Sequence, residues 1–328
     1  MKAIQITQHG DYDVLRPVDL PVPQPRGKEA LVRMTAAAVN ALDDQVRRGM
    51  LPIAGPAPLV AGIEGVGVVE EPGDSGLKTG TGVMVWPYSR RFGLTEDGTW
   101  AEYVTADSYS MLTVPSGICD MEAAGFLVSY VTAQLALTYA GGFKAGQTVL
   151  APAVGGSIGN AVLQLARAQG AARVLTTAGT TAKAEQARAA GYTDVIDLSE
   201  EMLIHTVLEM TDGRGVDLAI DTIGGFLTGS SLAALAPGGT LVTVGYRAGN
   251  WVDINLSDLI GKSGHMVGLD LFAVPEEAIR QAVVVVRSLL AERLVRPLVA
   301  RTFPLLEAAT AQRYQMEEHP FGKVILTI

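Results

Sequence analysis

The stretch "VLAPAVGGSIGNAVLQLA", Val149 to Ala166, decides how the chain is read. It opens as an apolar run of strand type and closes with the spacing of an amphipathic helix. Between the two lie Gly155, Gly156, Ser157 and Gly159. Small residues at a strand-to-helix turn let backbone N–H groups approach a phosphate. The following helix adds its unpaired amides and the positive end of its dipole. A strict G-x-G-x-x-G from Gly155 would need glycine at 157 and 160, where the chain has Ser157 and Asn160. The spelling alone is weak, so the surroundings must decide.

Around this turn the sequence alternates. Strand "QTVLAPA" precedes the helix "IGNAVLQLARAQG". Then come strand "ARVLTTA", helix "TAKAEQARAAG", strand "DVIDL" and helix "SEEMLIHTVLEMT". Strand "VDLAIDTIG", helix "FLTGSSLAALAPGG" and strand "TLVTVGY" complete the series. Such a rhythm, with strands apolar on both faces, predicts an α/β fold with a doubly wound parallel sheet of Rossmann type. The first third has a different texture. Short strand candidates such as "MKAIQIT", "EALVRMTAAAV" and "EGVGVVEEPG" are separated by Gly and Pro, which suggests a rolled or partly open barrel. The Pro-rich "RPVDLPVPQPRG" reads as an extended connection. "DMEAAGFLVSYVTAQLALTYA" reads as one amphipathic helix with Asp120 as its N-cap. The chain ends in β again, in "GKVILTI", so its end is expected to return to the first domain. The expected division is 1–120 with 264–328 in one domain and 121–263 in the other.

The 328 residues suffice for two such domains, and 48% hydrophobic content supplies their cores. A net charge of −9 disfavours nucleic acid as a partner, because binding it needs clustered positive charge. One cysteine, Cys119, cannot form an internal disulfide or a cysteine-type zinc site, and the four histidines are scattered. No apolar leader opens the sequence and no apolar run is long enough to span a bilayer, so a cytoplasmic protein without membrane association is expected.

The strand after the glycine turn speaks to the kind of cofactor. An NAD site wants Asp or Glu about 20 residues beyond the glycines, on the ribose hydroxyls. Here "RVLTTAGTTAKAEQ" offers Thr177, Thr180, Thr181 and the cation Lys183, with no acid at the strand end. Hydroxyl donors and an ammonium attract a 2′-phosphate that a carboxylate would repel, which points to NADPH. Lys183 reads equally well as an exposed helix lysine.

Several motifs together resemble the zinc-independent medium-chain dehydrogenase/reductases of the quinone oxidoreductase type, over essentially the whole chain. "AAAVNALDDQVRRG" is similar to that family's G-V-N-P-x-D-x-x-x-R-x-G segment, and "LVAGIEGVGVVEEPG" to its P-G-x-E-G-x-G-x-V stretch. "GTWAEYVTAD", the Thr132–Ala133 pair, the glycine turn with Ser157 in place of the usual second glycine, and "GKVILTI" extend the likeness. The resemblance implies a GroES-like β-rich catalytic domain, a Rossmann domain, NADPH and a homodimer. It places Asn40, Ala41, Leu42 and Thr132 at the nicotinamide and its ribose. It places Gly156, Ser157 and Ile158 at the pyrophosphate, and Thr180 and Lys183 at the 2′-phosphate. Gly245, Tyr246 and the loop holding Leu269 and Leu271 fall near the carboxamide.

There are departures. Zinc alcohol dehydrogenases of the wider superfamily carry a catalytic Cys where this chain has Asn40 or Ala41, and a His at Gly62–Ile63. A tyrosine often found five residues after the Asn is Gln45 here, and one that often follows the third strand is Leu198. Hydride accepted by a quinone or an α,β-unsaturated carbonyl leaves negative charge on oxygen, which needs a donor. Asn40, Gln45, Arg47 and Tyr88 are the candidates. The apolar, Pro-rich loop after Arg47 suits a small apolar electrophile. An enoyl-thioester reductase and a non-enzymatic NADPH-binding protein remain as alternative readings.

Overall fold

The computed structural model describes residues 1–88 and 91–328; Ser89 and Arg90, in the stretch around Tyr88, lie outside the described residues. The chain begins with β1 (Lys2–Ile6), β2 (Leu15–Asp19), β3 (Glu29–Val39), helix α1 (Ala41–Arg47) and β4 (Leu59–Val60). Strands β5 (Gly65–Glu71), β6 (Gly82–Val85), β7 (Tyr103–Asp107) and β8 (Met111–Thr113) follow. Helix α2 (Asp120–Ala124) and helix α3 (Leu127–Leu135) come next, the latter running into a π-helical turn, Ala136–Ala140. The alternating series is β9 (Thr148–Ala151), α4 (Ser157–Ala168), β10 (Arg173–Ala178), α5 (Thr181–Ala189), β11 (Val195–Asp197) and α6 (Leu203–Met210). It continues with β12 (Val216–Asp221), α7 (Phe226–Ala233), β13 (Leu235–Thr243), α8 (Leu256–Gly261), β14 (His265–Gly268) and α9 (Glu276–Ala291). β15 (Val299–Pro304), α10 (Ala308–Glu317) and β16 (Lys323–Thr327) close the chain.

Two compact units result, Met1–Val128 with Pro297–Ile328, and Ser129–Arg296. Both boundaries lie later than the sequence suggested. The second moves from 263 to 296 because β14 pairs in parallel with β13, Leu241 opposite Met266, and so continues the middle sheet.

In the first unit, one sheet runs β15-β16-β3-β5-β6-β8, with β7 also on β3, and a second runs β2-β1-β4. β2 lies partly in the stretch read as a plain connection. Pro17 is tolerated there because β2 is an edge strand. The two ends of the chain meet where β16 pairs antiparallel with β3. Ile4, Val39, Ile63, Trp100 and Leu326 share one core cluster; Val32, Val69, Val83 and Phe92 share another. Gly62, at φ +96°, lies against Trp100, whose indole N–H donates to the Ala38 carbonyl at 3.1 Å. Any side chain at Gly62 would overlap that ring.

The expected helix from Asp120 is broken. Cys119 is its N-cap, and α2 stops at Gly125. Lys323 packs at the break: its ammonium donates to the Gly125 carbonyl at 3.1 Å, and a Cβ on Gly125 would lie 2.6 Å from the Lys323 Cδ.

The second unit is a six-stranded sheet, β11-β10-β9-β12-β13-β14, parallel throughout. The chain winds outward from β9 to β11, then crosses to β12 and winds the other way. The C-terminal ends of β9 and β12 therefore flank a topological switch point, the usual ligand position in such sheets. No helix among the described residues is long and apolar enough to cross a membrane.

Candidate functional site

The glycine turn leaves β9 at the switch point. Ala153 takes φ +63°, a left-handed conformation unusual for a residue with a Cβ. The turn is held from β10: the Ala153 amide donates to the Thr177 hydroxyl and the Val154 amide to the Thr177 carbonyl, both at 3.0 Å. Thr177 is buried, so it shapes the turn; the structure does not present it to a phosphate, a correction to its expected role. Gly156 is the N-cap of α4 and offers no side-chain cap, so the first amides of a 12-residue helix stay open at Ser157 and Ile158. A Cβ on Gly159 would overlap the Pro152 carbonyl and lie 2.6 Å from the Ala153 carbonyl. Only glycine lets the helix seat this closely. Asn160 is explained too. Its amide donates to the Tyr192 hydroxyl at 2.8 Å and its carbonyl accepts from Gln164 at 2.5 Å. Uncapped helix amides beside a turn that a side chain would fill suit a pyrophosphate.

At the end of β10, Thr180 caps α5 by accepting the Lys183 amide at 3.3 Å. Thr180 and Thr181 are exposed and Lys183 is half-buried, with no ion pair among the described residues. Sequence reasoning missed a carboxylate here. Asp197, the last residue of β11, stands in register with Ala178, the last of β10. It is 3% exposed. It accepts from the Ser199 hydroxyl at 2.6 Å and the Ser199 amide at 3.0 Å, while the Thr181 and Ser199 hydroxyls lie 3.2 Å apart. Hydrogen bonds from Ser199 and Thr181 hold the Asp197 carboxyl below the ordinary range. The signal was in "DVIDLS", on the neighbouring strand.

Gly245, Tyr246 and Leu269 line a cavity of about 480 Å³ with Thr228, Thr243 and Asp270, at the C-terminal ends of β12 to β14. Leu271 is half-buried beyond that lining. Asp221, fully buried, fixes the first turn of this wall by accepting from the Ile223 and Gly224 amides at 2.9 Å and the Thr228 hydroxyl at 2.6 Å. Thr132 is buried within α3.

In the first unit, Asn40 precedes α1, Ala41 is exposed and Leu42 packs on the core. The Asn40 side-chain nitrogen is buried without a hydrogen-bond partner. The Asn40 backbone N–H donates to Asp43 at 2.7 Å. Burial pushes the Asp43 carboxyl up to about 7, and the nearby Glu64 charge adds to the rise. Glu64 pairs with Lys323 and also accepts the Val128 amide at 2.9 Å. Gln45 is half-buried on α1, and Tyr88 stacks on Trp86 with ring centroids 5.3 Å apart.

Arg47 is a correction. It is 2% exposed, and its guanidinium donates to Gln312, the Gly10 carbonyl and Asp44 while lying over the Tyr12 ring. Nε and Nη1 hold α1 to neighbouring segments and Nη2 bonds Asp44 on α1 itself, so every nitrogen is engaged and Arg47 is a structural residue.

Two sequence families match the two architectures: "Alcohol dehydrogenase GroES-like domain" over residues 26–116 and "Zinc-binding dehydrogenase" over residues 157–287. The human quinone oxidoreductase is 27% identical over all of this chain and 98% of its own. A mycobacterial quinone oxidoreductase of known structure is 30% identical, with TM-score 0.84 and complete coverage of both chains; a mycobacterial protein solved in complex with NADPH gives 0.86 at 29% identity, again with complete coverage of both chains. A phenolphthiocerol/phthiocerol polyketide synthase component of Mycobacterium tuberculosis is 31% identical over 99% of this chain, which spans 15% of that protein. The chain belongs to the medium-chain dehydrogenase/reductase family of oxidoreductases, in its quinone oxidoreductase type.

Proposed function

We propose that the chain is an NADPH-dependent oxidoreductase that reduces quinones or α,β-unsaturated carbonyl compounds by hydride transfer without a metal. The observation that carries this reading is the uncapped N-terminus of α4 at the switch point, seated on a turn that only glycine permits. The named relatives support the reaction class, and the NADPH complex of a neighbour supports the cofactor.

In this reading the open amides of Ser157 and Ile158 bind the pyrophosphate, and Gly156, whose own amide donates to the Ala153 carbonyl at 2.8 Å, leaves room for its close approach. Thr180 and Lys183 hold the 2′-phosphate. In the second unit, Thr132, Gly245, Tyr246, Leu269 and Leu271 are the residues proposed for the nicotinamide end; in the first unit, the family resemblance assigns that role to Asn40, Ala41 and Leu42. Bound NADPH supplies the hydride. The Asn40 amide nitrogen is the first candidate to stabilise the oxygen that gains charge, because its N–H donors have no internal partner. Gln45 and Tyr88 remain as further donors. Asn40, Ala41, Gly62 and Ile63 stand where zinc alcohol dehydrogenases are expected to carry metal ligands, which supports a metal-free site. The polyketide synthase relative favours a second reading, an enoyl-thioester reductase. The largely exposed β14 and the nearby Trp251 and Ile260 support a homodimer.

NADPH oxidation measured with 1,4-benzoquinone, a simple enone and a crotonyl thioester ranks the two readings. Turnover of the first two is expected. Exclusive turnover of the thioester would replace the first reading by the second. Lys183→Glu is expected to weaken NADPH binding at least tenfold more than NADH binding, by reversing a charge facing the phosphate. Equal losses would refute the placement.

A further inference from the structure

Two opposed chemistries meet at the end of β10. On the α5 side stand an ammonium, Lys183, and a helix-capping hydroxyl, Thr180, which still has its proton to donate. On the β11 side stands Asp197, whose backbone N–H in turn donates to the Glu201 carboxylate at 3.2 Å. An ionised carboxylate only accepts. Asp197 accepts the Ser199 O–H at 2.6 Å, and with that proton committed, Ser199 accepts from the Thr181 hydroxyl at 3.2 Å. A hydroxyl whose proton is directed inward turns its lone pairs outward. Those lone pairs accept from a ribose 2′-hydroxyl and repel the oxygens of a 2′-phosphate.

The half-site built by β11 therefore suits NADH, and the half-site built by α5 suits NADPH. We propose that Asp197 is the specificity-determining residue of this site: working through Ser199 and Thr181, it holds the preference for NADPH over NADH to roughly tenfold or less. This rests on the proposed dinucleotide site at the ends of β9 and β10. The sequence rule for cofactor type looks along the second strand, whereas here the acid enters from the third, in hydrogen-bonded register with it.

The test is a fluorescence titration of the full chain with NADPH and with NADH, in the native protein and in Asp197→Asn. Asparagine keeps the shape and can still accept from the Ser199 amide; Asp197→Ser serves as a second neutral variant if the first lowers the thermal midpoint. The native chain is expected to bind both cofactors with similar affinity. Neutralisation is expected to raise the NADPH-to-NADH preference about tenfold, by removing the negative charge that holds the Ser199 proton inward. Binding of both cofactors with an unchanged preference in the variants would overturn the role of Asp197 and leave the dinucleotide site standing. A native preference clearly above about tenfold would overturn it as well. Failure of the native chain to bind either cofactor would overturn the site itself.

Discussion

At Asp43, burial outweighs the contacts that favour the charged form. The Asn40 and Ile63 amides and Lys323 draw the carboxyl down, yet desolvation and the Glu64 charge leave it at about 7, above the unfolded value of 3.8. Between these values the folded chain holds a proton that the unfolded chain has released. The stability this gives is complete below the unfolded value and is lost as pH rises through about 7. Asp43→Asn should remove that dependence. The difference in unfolding free energy between the native protein and the variant should change with pH between 4 and 7 by up to about 1.4 kcal/mol per pH unit. Urea titrations across this range check it, and parallel profiles would mean that Asp43 titrates normally. None of this was legible in the sequence, which shows Asp43 only as one member of "NALDD". Burial is a property of the packed unit, and Glu64 and Lys323 come from distant segments. The same limit explains Arg47, whose partner Gln312 is 265 positions away, and Asp197, hidden on the adjacent strand. The placement of Asn40, Thr180 and Lys183 at a helix start, a cap and a first turn was legible because it rests on local sequence.

The element that does most for the proposed site is α4. Its closeness to the turn depends on Gly159, where an added methyl group would collide with two backbone carbonyls, neither of which can move aside as a flexible side chain could. Gly159→Ala should destabilise the chain by about 1–3 kcal/mol through overpacking. It should also weaken NADPH binding more than tenfold, since the helix amides would be displaced from the pyrophosphate. Thermal melts and fluorescence titration read the two effects separately. Unchanged binding would show that the N-terminus of α4 does not touch the cofactor. Alternation of β and α was readable because each element announces itself through its own periodicity. What failed was set by contacts between segments distant in the chain. β14 was given to the wrong domain because a short strand carries no mark of its neighbour. The helix at Asp120 looked continuous because the residue that binds the carbonyl at its break, Lys323, lies far along the chain.

At the scale of the molecule, the first unit must be assembled from both ends of the chain. Pairing of β16 with β3 does this through the backbone, and the Lys323–Glu64 ion pair does it through buried charge. Such a pair contributes less through net attraction than through the cost of breaking it, because either partner alone would be a buried, unbalanced charge. The second unit has the opposite problem, an unfinished edge. β14 is the last strand of the parallel sheet and three of its four residues are exposed. The segments beside it expose Trp251 at 91% and Ile260 at 73%. An unprotected strand edge flanked by large apolar side chains favours pairing with another strand. A second copy of the same chain presents an identical edge and closes by two-fold symmetry. Sedimentation at micromolar concentration should therefore show a dimer. Met266→Lys combined with Trp251→Glu should shift it to monomer while leaving the thermal midpoint within a few degrees. A native chain that sediments as a monomer would leave the β14 edge without this partner, and a dimer unaffected by the double substitution would place the contact elsewhere on the surface.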